Sequence, residues 1–234
     1  MSGDLGPSGY YLDQMHRVGS LVADLDDTAL ALPVPGCPLW AVRDVVAHLA
    51  ALPHDLLGGL ADGAGEPEWT ARQVAERRGV AIPELLAEWA EWGPRLAPQL
   101  DGWGFAGWRP FYDAAVHEDD IREALGRPLA EGRGQQVMLT GLLEGARRRL
   151  VKADLPALTV EAGAARWVLG DVPVAPGQGP SGQGPPANCV DAGSVGELGR
   201  MLSGRRSLTA MRARSWTGDP EPYLPLLPVF SPPA

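Results

Sequence analysis

The sequence predicts an α+β protein in which a helical bundle is followed by a small α+β domain. Through most of the first 152 residues, apolar side chains recur at three- and four-residue spacing, which is the pattern of helices with one buried face. After Asp154 the pattern changes to short runs with a period of two, which is typical of strands. Hydrophobic residues make up 45% of the chain, enough to form a sizeable core. We therefore predict two domains, at residues 1–130 and 131–234.

Prolines and glycines divide the first domain into predicted helices. The helical pattern covers residues 10–32, 39–60, 69–78, 83–100 and 108–125. Pro53 falls inside the second of these helices, and we expect a kink or a restart there because proline cannot donate the backbone hydrogen bond. The Gly-rich, aromatic segment 101–107 is predicted to be a loop.

The second domain is predicted to begin with one helix and to continue with short strands. The helix covers residues 135–152, and strands cover 158–161, 165–169, 189–192 and 208–214. Ser194 is predicted to cap a helix over 195–203, since Glu197 stands three residues later, as in a capping box. Residues 170–186 are rich in Gly, Pro and Gln and are predicted to be a loop, and the chain from Asp219 is predicted to be irregular.

Charge and cysteine usage limit the classes of partner. The formal net charge is −9 and the pI about 4.9, so nucleic acid is not expected as a partner, because phosphate binding needs a basic surface. No apolar run approaches the roughly 18 residues of a membrane span, and we expect no signal peptide at the N-terminus. Cys37 and Cys189 form no CxxC pattern, which favours cytosolic thiols. We expect a cytoplasmic protein, monomeric or homodimeric, that acts on small molecules.

Three side chains in two predicted helices form a candidate metal site. His48 lies beside apolar residues in the second helix, and Asp113 and His117 stand four apart in the fifth, where they share one face. Imidazole and carboxylate together suit a divalent ion such as zinc, and three protein ligands leave one coordination position open, as in catalytic sites. The plainer interpretation is a solvated acid–histidine pair on one helix and a hydrogen-bonded core histidine on the other. Three such groups on two bundle helices favour the metal site.

Two sequence motifs around these residues resemble a known family. Residues 37–49, CPLWAVRDVVAHL, resemble the C-P-x-W-x-V-x-D-x-x-x-H-L signature of the DinB-like metal-binding domain. Residues 113–126, DAAVHEDDIREALG, resemble its second motif, an acid-x3-His unit followed by a D-x-R-x-A-L-G run. Together they resemble the N-terminal domain of the mycothiol-dependent maleylpyruvate isomerases of actinobacteria, a DinB-like four-helix bundle.

The resemblance implies a ligand set and two cofactors. The family's three metal ligands would fall on His48, Asp113 and His117; the metal would be divalent, most simply zinc, and mycothiol would be the thiol. Asp120 would be a carboxylate behind the ligands or a structural group. The isomerases of the family carry Glu at the position of Asp113, so the carboxylate of this chain is one methylene shorter, which leaves the reaction itself open.

The second domain is similar to the sterol-carrier-like domain that follows in this family. Residues 194–205, SVGELGRMLSGR, resemble its helix ending in Gly-Arg. The resemblance implies that Arg205 is a catalytic residue that faces the cleft between the domains and orients an anionic group, since a guanidinium pairs bidentately with a carboxylate. The alternative is a surface arginine that binds the last carbonyl groups of a helix.

The predicted function is that of a metal-dependent isomerase or S-transferase that uses a low-molecular-weight thiol on a small electrophilic, anionic substrate. The metal would lower the pKa of the thiol, and the thiolate would attack the substrate. The alternative is a non-enzymatic metal- or ligand-binding module of the same fold, because a fold does not fix chemistry.

Overall fold

The computed structural model describes residues 5–171 and 187–230, and the α+β class predicted from the sequence is confirmed. The chain divides into two units, residues 1–130 and 131–234. The predicted loop over 170–186 falls almost entirely outside the described residues. None of the helices in the described ranges is long and apolar enough to cross a membrane.

Four long helices form the bundle of the first unit. They are α1 (Pro7–Val22), α3 (Val42–Leu57), α5 (Ile82–Leu100) and α6 (Arg109–Ala124). Helices α1 and α3 pack against α5, and α6 packs against α1 and α3, while the shorter α4 (Pro67–Glu76) lies on α3. Each buried aliphatic side chain of the core contributes roughly 1.5–3 kcal/mol. The core includes Val18, Val45, Leu49, Leu85, Trp89 and Ile121.

The first predicted helix, residues 10–32, is two helices in the structure. Helix α1 ends at Val22, and a short helix, α2, covers Asp27–Leu30. The break has a local cause, because the side chain of Asp26 accepts a hydrogen bond of 2.8 Å from the backbone N–H of Ala29 and so caps a new helix. A carboxylate that caps a new helix accepts a backbone N–H group that would otherwise bond to a carbonyl of the preceding helical turn.

A two-stranded hairpin that the sequence did not predict precedes α3. Strand β1 (Pro33–Val34) pairs antiparallel with β2 (Cys37–Ala41), so α3 begins at Val42 rather than at residue 39. Asp44 fixes this start, because its Oδ2 accepts the backbone N–H of Ala41 at 2.9 Å. Strand β2 therefore leads directly into the helix that carries the first predicted metal ligand.

Helix α3 runs through Pro53 without the restart that the sequence suggested. A proline inside a helix removes one backbone hydrogen bond and costs about 3 kcal/mol. Buried side chains on both sides, at Leu49, Leu52 and Asp55, hold the two halves in one helix. The continuous helix places Asp55 two turns after His48 on the same face.

A tight turn sets the entry of α6, the helix that carries the other two predicted ligands. The predicted loop at 101–107 overlaps this turn, a 3-10 helix at Gly104–Trp108, which leads directly into α6. Glycine is required at position 107, because a Cβ on Gly107 would collide with the carbonyl oxygen of Leu100 at the end of α5. This close backbone approach fixes the start of α6 against α5.

The second unit is a four-stranded sheet with helices packed on it. Its elements are α7 (Arg133–Lys152), β3 (Leu158–Ala162), β4 (Ala165–Leu169), β5 (Cys189–Asp191), α8 (Val195–Leu202) and β6 (Ser215–Thr217). The strand order is β4-β3-β5-β6, with β3 parallel to β5 and the other pairs antiparallel. Helix α7 packs against β4 and α8, and α8 also packs against β3.

The strand predicted at residues 208–214 is wrong. Residues Leu208–Arg212 form helix α9, because Ser207 caps it: its Oγ accepts the backbone N–H of Ala210 at 3.2 Å. The last strand of the described chain is β6, where Trp216 pairs with β5. A segment this short fits both the helical and the strand period, and the capping serine decides between them.

A buried ion cluster joins α1 to α6. The side chain of Glu118 is fully buried and accepts hydrogen bonds from three donors, Gln14, Arg17 and Arg122. Burial alone would raise the pKa of Glu118, but hydrogen bonds from the three donors outweigh it and hold that pKa below its ordinary value of 4.5. Because the folded pKa is lowered, the cluster stabilises the fold above pH 4.5, and this stability is lost as the pH falls through the folded value.

We predict that Glu118→Gln lowers the free energy of unfolding by roughly 2–4 kcal/mol at neutral pH, because it leaves charged donors facing a neutral amide. Urea unfolding at neutral pH and again near pH 4 measures this, and the difference from the wild type shrinks at the lower pH. The control is Glu91→Gln, which breaks the exposed pair of Glu91 with Arg95 and costs less than about 0.5 kcal/mol. Equal losses in the two variants would contradict a stabilising role for the buried cluster.

Candidate metal centre

Two helices of the bundle bring His48, Asp113 and His117 together. His48 lies on α3, and the other two lie one turn apart on α6. Nε2 of His48 lies 3.1 Å from Oδ2 of Asp113, and Nε2 of His117 lies 3.6 Å from Oδ1 of the same carboxylate. One ligand atom from each residue lies within 4.8 Å of the other two. The three residues that the sequence predicts as metal ligands are therefore adjacent.

The hydrogen bonding of His48 determines which of its ring nitrogens carries the hydrogen. Nδ1 lies 2.7 Å from Oε1 of Gln73, and Nε2 of Gln73 lies 2.7 Å from Oδ2 of Asp55. A carboxylate only accepts hydrogen bonds, so the amide group must turn its NH2 to Asp55 and its carbonyl oxygen to the imidazole. Nδ1 of a neutral His48 therefore carries the hydrogen, and Nε2 directs its lone pair at Asp113.

His117 is arranged in the same way by a carboxylate. Its Nδ1 lies 2.8 Å from Oδ2 of Asp120, which is fully buried, and the thiol of Cys37 donates to the same oxygen at 3.6 Å. His117 therefore presents Nδ1 to Asp120 and Nε2 to Asp113. Cys37, His117 and Asp120 form a second group whose possible ligand atoms lie within 4.8 Å of one another.

The donor set suits a divalent cation. When both rings are neutral, two imidazole lone pairs face one carboxylate, and this arrangement is repulsive unless a cation lies between them. Two neutral imidazoles and one carboxylate would leave a divalent ion with a net charge near +1. Both histidine rings are buried, whereas the side chain of Asp113 is 30% exposed, so small molecules can approach from the carboxylate side.

Aromatic rings enclose the two histidines. The ring centroid of Trp40, on β2, lies 5.2 Å from that of His48 and 5.7 Å from that of His117. Trp69, on α4, meets His48 edge-on at 6.2 Å. These rings keep water from the imidazoles and lower the local dielectric constant, which strengthens the electrostatic interactions of the ligands.

A buried phenol adds a hydrogen-bonding group near the carboxylate. Tyr11, on α1, accepts a hydrogen bond of 2.9 Å from Nε1 of Trp89. Burial raises the pKa of Tyr11, the hydrogen bond from Trp89 lowers it, and the negative charge of Asp113 raises it further, with a net rise. Tyr11 therefore remains a protonated phenol at neutral pH.

Arg205 lies directly after α8, in the second unit. Its backbone N–H donates to the carbonyl of Arg200 at 2.8 Å, and its guanidinium donates to the carbonyl of Ser203 at 3.2 Å. Both acceptors lie at the C-terminal end of α8, which is the contact expected of an arginine that binds the last carbonyl groups of a helix. A role for Arg205 in substrate binding stays a prediction.

The sequence did not single out the groups behind His48 or the indole beside it. Gln73 lies on α4, a helix that no motif connects to the site. Asp55 carried a usable signal, because it follows His48 by two helical turns and so shares its face. Trp40 belongs to the quoted signature, and only the hairpin that precedes α3 brings its ring onto the histidines.

The residues of this site lie within a segment that matches a known family of domains. Residues 11–122 match the family model of the mycothiol maleylpyruvate isomerase N-terminal domain. The match extends through the bundle and includes His48, Asp113 and His117. Most of the first unit is therefore similar to the mycothiol maleylpyruvate isomerase N-terminal domain, and the resemblance predicted from the two motifs is confirmed.

A solved structure extends the likeness of fold to both units. The crystal structure of a histidine-to-alanine mutant of the mycothiol-dependent maleylpyruvate isomerase has a TM-score of 0.55 to this chain at 16% sequence identity. The alignment covers 91% of this chain and 92% of that one, more than either unit alone. No curated protein sequence matches the chain.

We predict that Co²⁺ quenches the fluorescence of Trp40, since a paramagnetic ion held by the two histidines would lie beside that indole. Titration of Co²⁺ into the wild type and into Trp40→Phe measures this, and the variant loses the largest part of the saturable quenching. The control is Trp92→Phe, which removes an indole that packs on His54 and leaves the quenching intact. Full saturable quenching in Trp40→Phe would mean that the ion binds elsewhere.

Proposed function

We propose that this protein is a divalent-metal-dependent enzyme that uses a low-molecular-weight thiol, mycothiol in the first instance, on a small anionic electrophile. The observation that carries the proposal is the convergence of Nε2 of His48 and Nε2 of His117 on the carboxylate of Asp113. The family of the first unit supports the thiol and the reaction class, as does the name of the protein whose fold the chain shares.

We propose that His48, Asp113 and His117 hold the ion and that the ion is zinc. Zinc sites with three protein ligands keep one position open for a substrate or a water molecule. A bound divalent ion would lower the pKa of a thiol at that position and so supply a thiolate near neutral pH. The partial exposure of Asp113 marks the side from which the thiol would enter.

The proposed chemistry has two forms, which differ in the fate of the thiol. In both, the thiolate sulfur forms a bond to an electrophilic carbon of a conjugated double bond, and the displaced electron pair moves onto the adjacent carbonyl group. In an isomerisation, rotation about the former double bond is followed by cleavage of the same C–S bond, and the thiol is released unchanged. In a transfer, the carbanion takes up a proton from solvent, the C–S bond remains, and one thiol is consumed per turnover.

We propose that Arg205 binds the anionic group of the substrate. One contact of the guanidinium of Arg205 is the hydrogen bond of 3.2 Å that it donates to the carbonyl of Ser203. A carboxylate is the stronger acceptor for a guanidinium, so an anionic substrate can replace this contact. A thiol-dependent reaction also needs a reducing compartment, which supports a cytoplasmic location.

We predict that the chelator-treated protein binds one Zn²⁺ per chain, and that alanine at any one ligand weakens this binding at least about 100-fold, since each supplies a third of the protein donors. The variants are His48→Ala, Asp113→Ala and His117→Ala, and titration calorimetry measures the affinity. The control is His16→Ala, a change at an exposed histidine of α1, which leaves the affinity unchanged. Zinc affinity that survives all three ligand variants would rule out the assigned ligands.

With zinc bound, we expect thiol-dependent turnover of maleylpyruvate or of another small anionic electrophile, lost on chelation and restored by zinc. Substrate isomerisation and free thiol are followed together, since an isomerase leaves the thiol concentration constant and a transferase lowers it. If zinc binds and stabilises the fold while no electrophile reacts with mycothiol or with another thiol, the protein is a metal-binding module without this activity.

We predict that Arg205→Lys raises KM for the anionic substrate about tenfold with a smaller change in kcat, because an ammonium group cannot bind a carboxylate bidentately. Steady-state kinetics with saturating thiol separate the two constants. The matched control is Arg212→Lys, at an exposed arginine that pairs with Glu221, and it leaves both constants unchanged. An unaltered KM in Arg205→Lys would show that the arginine serves only the end of its helix.

A further inference from the structure

We propose that Gln73 is a positioning residue for His48, and that Asp55 and Arg72 hold Gln73 in the orientation that keeps His48 ready to bind a metal. The inference rests on the metal site proposed above and extends it by three side chains outside the ligand set. None of them belongs to the two motifs that resemble the family.

Four side chains form one continuous chain of hydrogen bonds from the surface to the site. The guanidinium of Arg72 donates to Oδ2 of Asp55 at 2.7 Å. Nε2 of Gln73 donates to the same oxygen at 2.7 Å, and Nδ1 of His48 donates to Oε1 of Gln73 at 2.7 Å. Gln73 and Asp55 are fully buried, so water does not compete for these bonds, whereas Arg72 is 35% exposed at the outer end.

The donors and acceptors in this series of hydrogen bonds can be arranged in only one direction. A guanidinium only donates hydrogen bonds, a carboxylate only accepts them, and an amide does one at each end. The ion pair with Arg72 therefore fixes Asp55 as an acceptor, and Asp55 fixes the NH2 end of Gln73. The remaining carbonyl end of Gln73 can only accept from Nδ1 of His48.

The opposite orientation of Gln73 would disable the ligand. An NH2 group facing Nδ1 of His48 requires a lone pair there, and the ring hydrogen would then sit on Nε2, directed at Asp113 3.1 Å away. A hydrogen on Nε2 excludes a metal from that nitrogen. The orientation of a neutral amide thus selects the tautomer that can bind an ion.

The two histidines face different groups at Nδ1. His117 faces a carboxylate directly, at 2.8 Å from Asp120, whereas His48 faces an amide and the carboxylate of Asp55 lies one residue further out. A glutamate in place of Gln73 would set two carboxylates against each other at this distance, and like charges so close destabilise one another. The amide therefore transmits the orienting effect of Asp55 without adding a second buried charge.

The first test is the zinc affinity of Gln73→Met, which keeps the length of the side chain and removes its acceptor. We expect zinc to bind about 10- to 100-fold more weakly, the usual cost of losing the partner of a metal-bound histidine. The matched control is Gln14→Met, at a glutamine of α1 that is equally buried and donates to Glu118 at 2.6 Å. It loses a buried hydrogen bond of the same kind, and its zinc affinity stays within about twofold of the wild type.

A second readout reports the position of the ring hydrogen. In ¹⁵N-detected NMR spectra of the zinc-loaded wild type, we expect a slowly exchanging N–H at Nδ1 of His48, and in Gln73→Met this hydrogen exchanges much faster. A loss of stability alone would not move this signal.

Rescue by a double variant separates orientation from packing. In Gln73→Glu with Asp55→Asn, the bond between positions 73 and 55 reverses, the amide now donating to the carboxylate, and Nδ1 of His48 keeps an acceptor. We expect zinc affinity within about threefold of the wild type for this double variant, and at least tenfold weaker binding for Gln73→Glu alone. If Gln73→Met fails to fold, this pair makes the same comparison.

The outcomes distinguish the positioning role from the metal site itself. If Gln73→Met and Gln73→Glu bind zinc as tightly as the wild type, the positioning role is overturned and the metal site stands. If the wild type binds neither zinc nor another divalent transition metal, the proposed function is overturned, and the inference with it.

Discussion

The arrangement on which the site depends is the pair of imidazoles whose Nε2 atoms face the carboxylate of Asp113. A ring nitrogen can bind a metal only when the hydrogen of the neutral ring lies on the other nitrogen. His48 and His117 are buried, so water cannot supply the acceptors, and the protein has to. The bundle provides an amide at one ring and a carboxylate at the other, and the packing of α3 and α6 keeps the two rings close.

The carboxylates behind the histidines are buried, and a buried carboxylate needs hydrogen-bond donors of its own. Asp55 accepts a hydrogen bond from the guanidinium of Arg72, and Asp120 accepts one from the thiol of Cys37 and lies 2.8 Å from Nδ1 of His117. Helix α6 meets the same demand at the neighbouring position, where Glu118 binds two arginines and a glutamine. Buried polar groups of this helix therefore lie close to partners on neighbouring elements, and these contacts help to orient His117.

Family and geometry contribute different parts of the proposed function. The match of the first unit to the isomerase domain supports the proposed use of mycothiol, and the similarity of fold extends through both units. The donor atoms around Asp113 connect the chain to a metal. Neither the family nor the fold determines the reaction. Measurements of thiol consumption and of the effect of Arg205 on substrate binding therefore distinguish an isomerase, a transferase and a binding module.

The sequence by itself determined the α+β class, most of the helices and the family, because these follow from apolar periodicity and from motifs whose residues are close in the chain. It also singled out His48, Asp113 and His117. Two short elements were not predicted correctly, the hairpin before α3 and helix α9, where a strand was predicted. Apolar periodicity is weak in so few residues, and a capping serine decided that α9 is a helix. Only the tertiary structure decided which nitrogen of His48 faces Asp113, because Nδ1 contacts Gln73, which lies on another helix and donates to a carboxylate behind it. Hydrogen-bond direction is a property of side chains that meet in space, and the spacing of residues along a chain does not encode it.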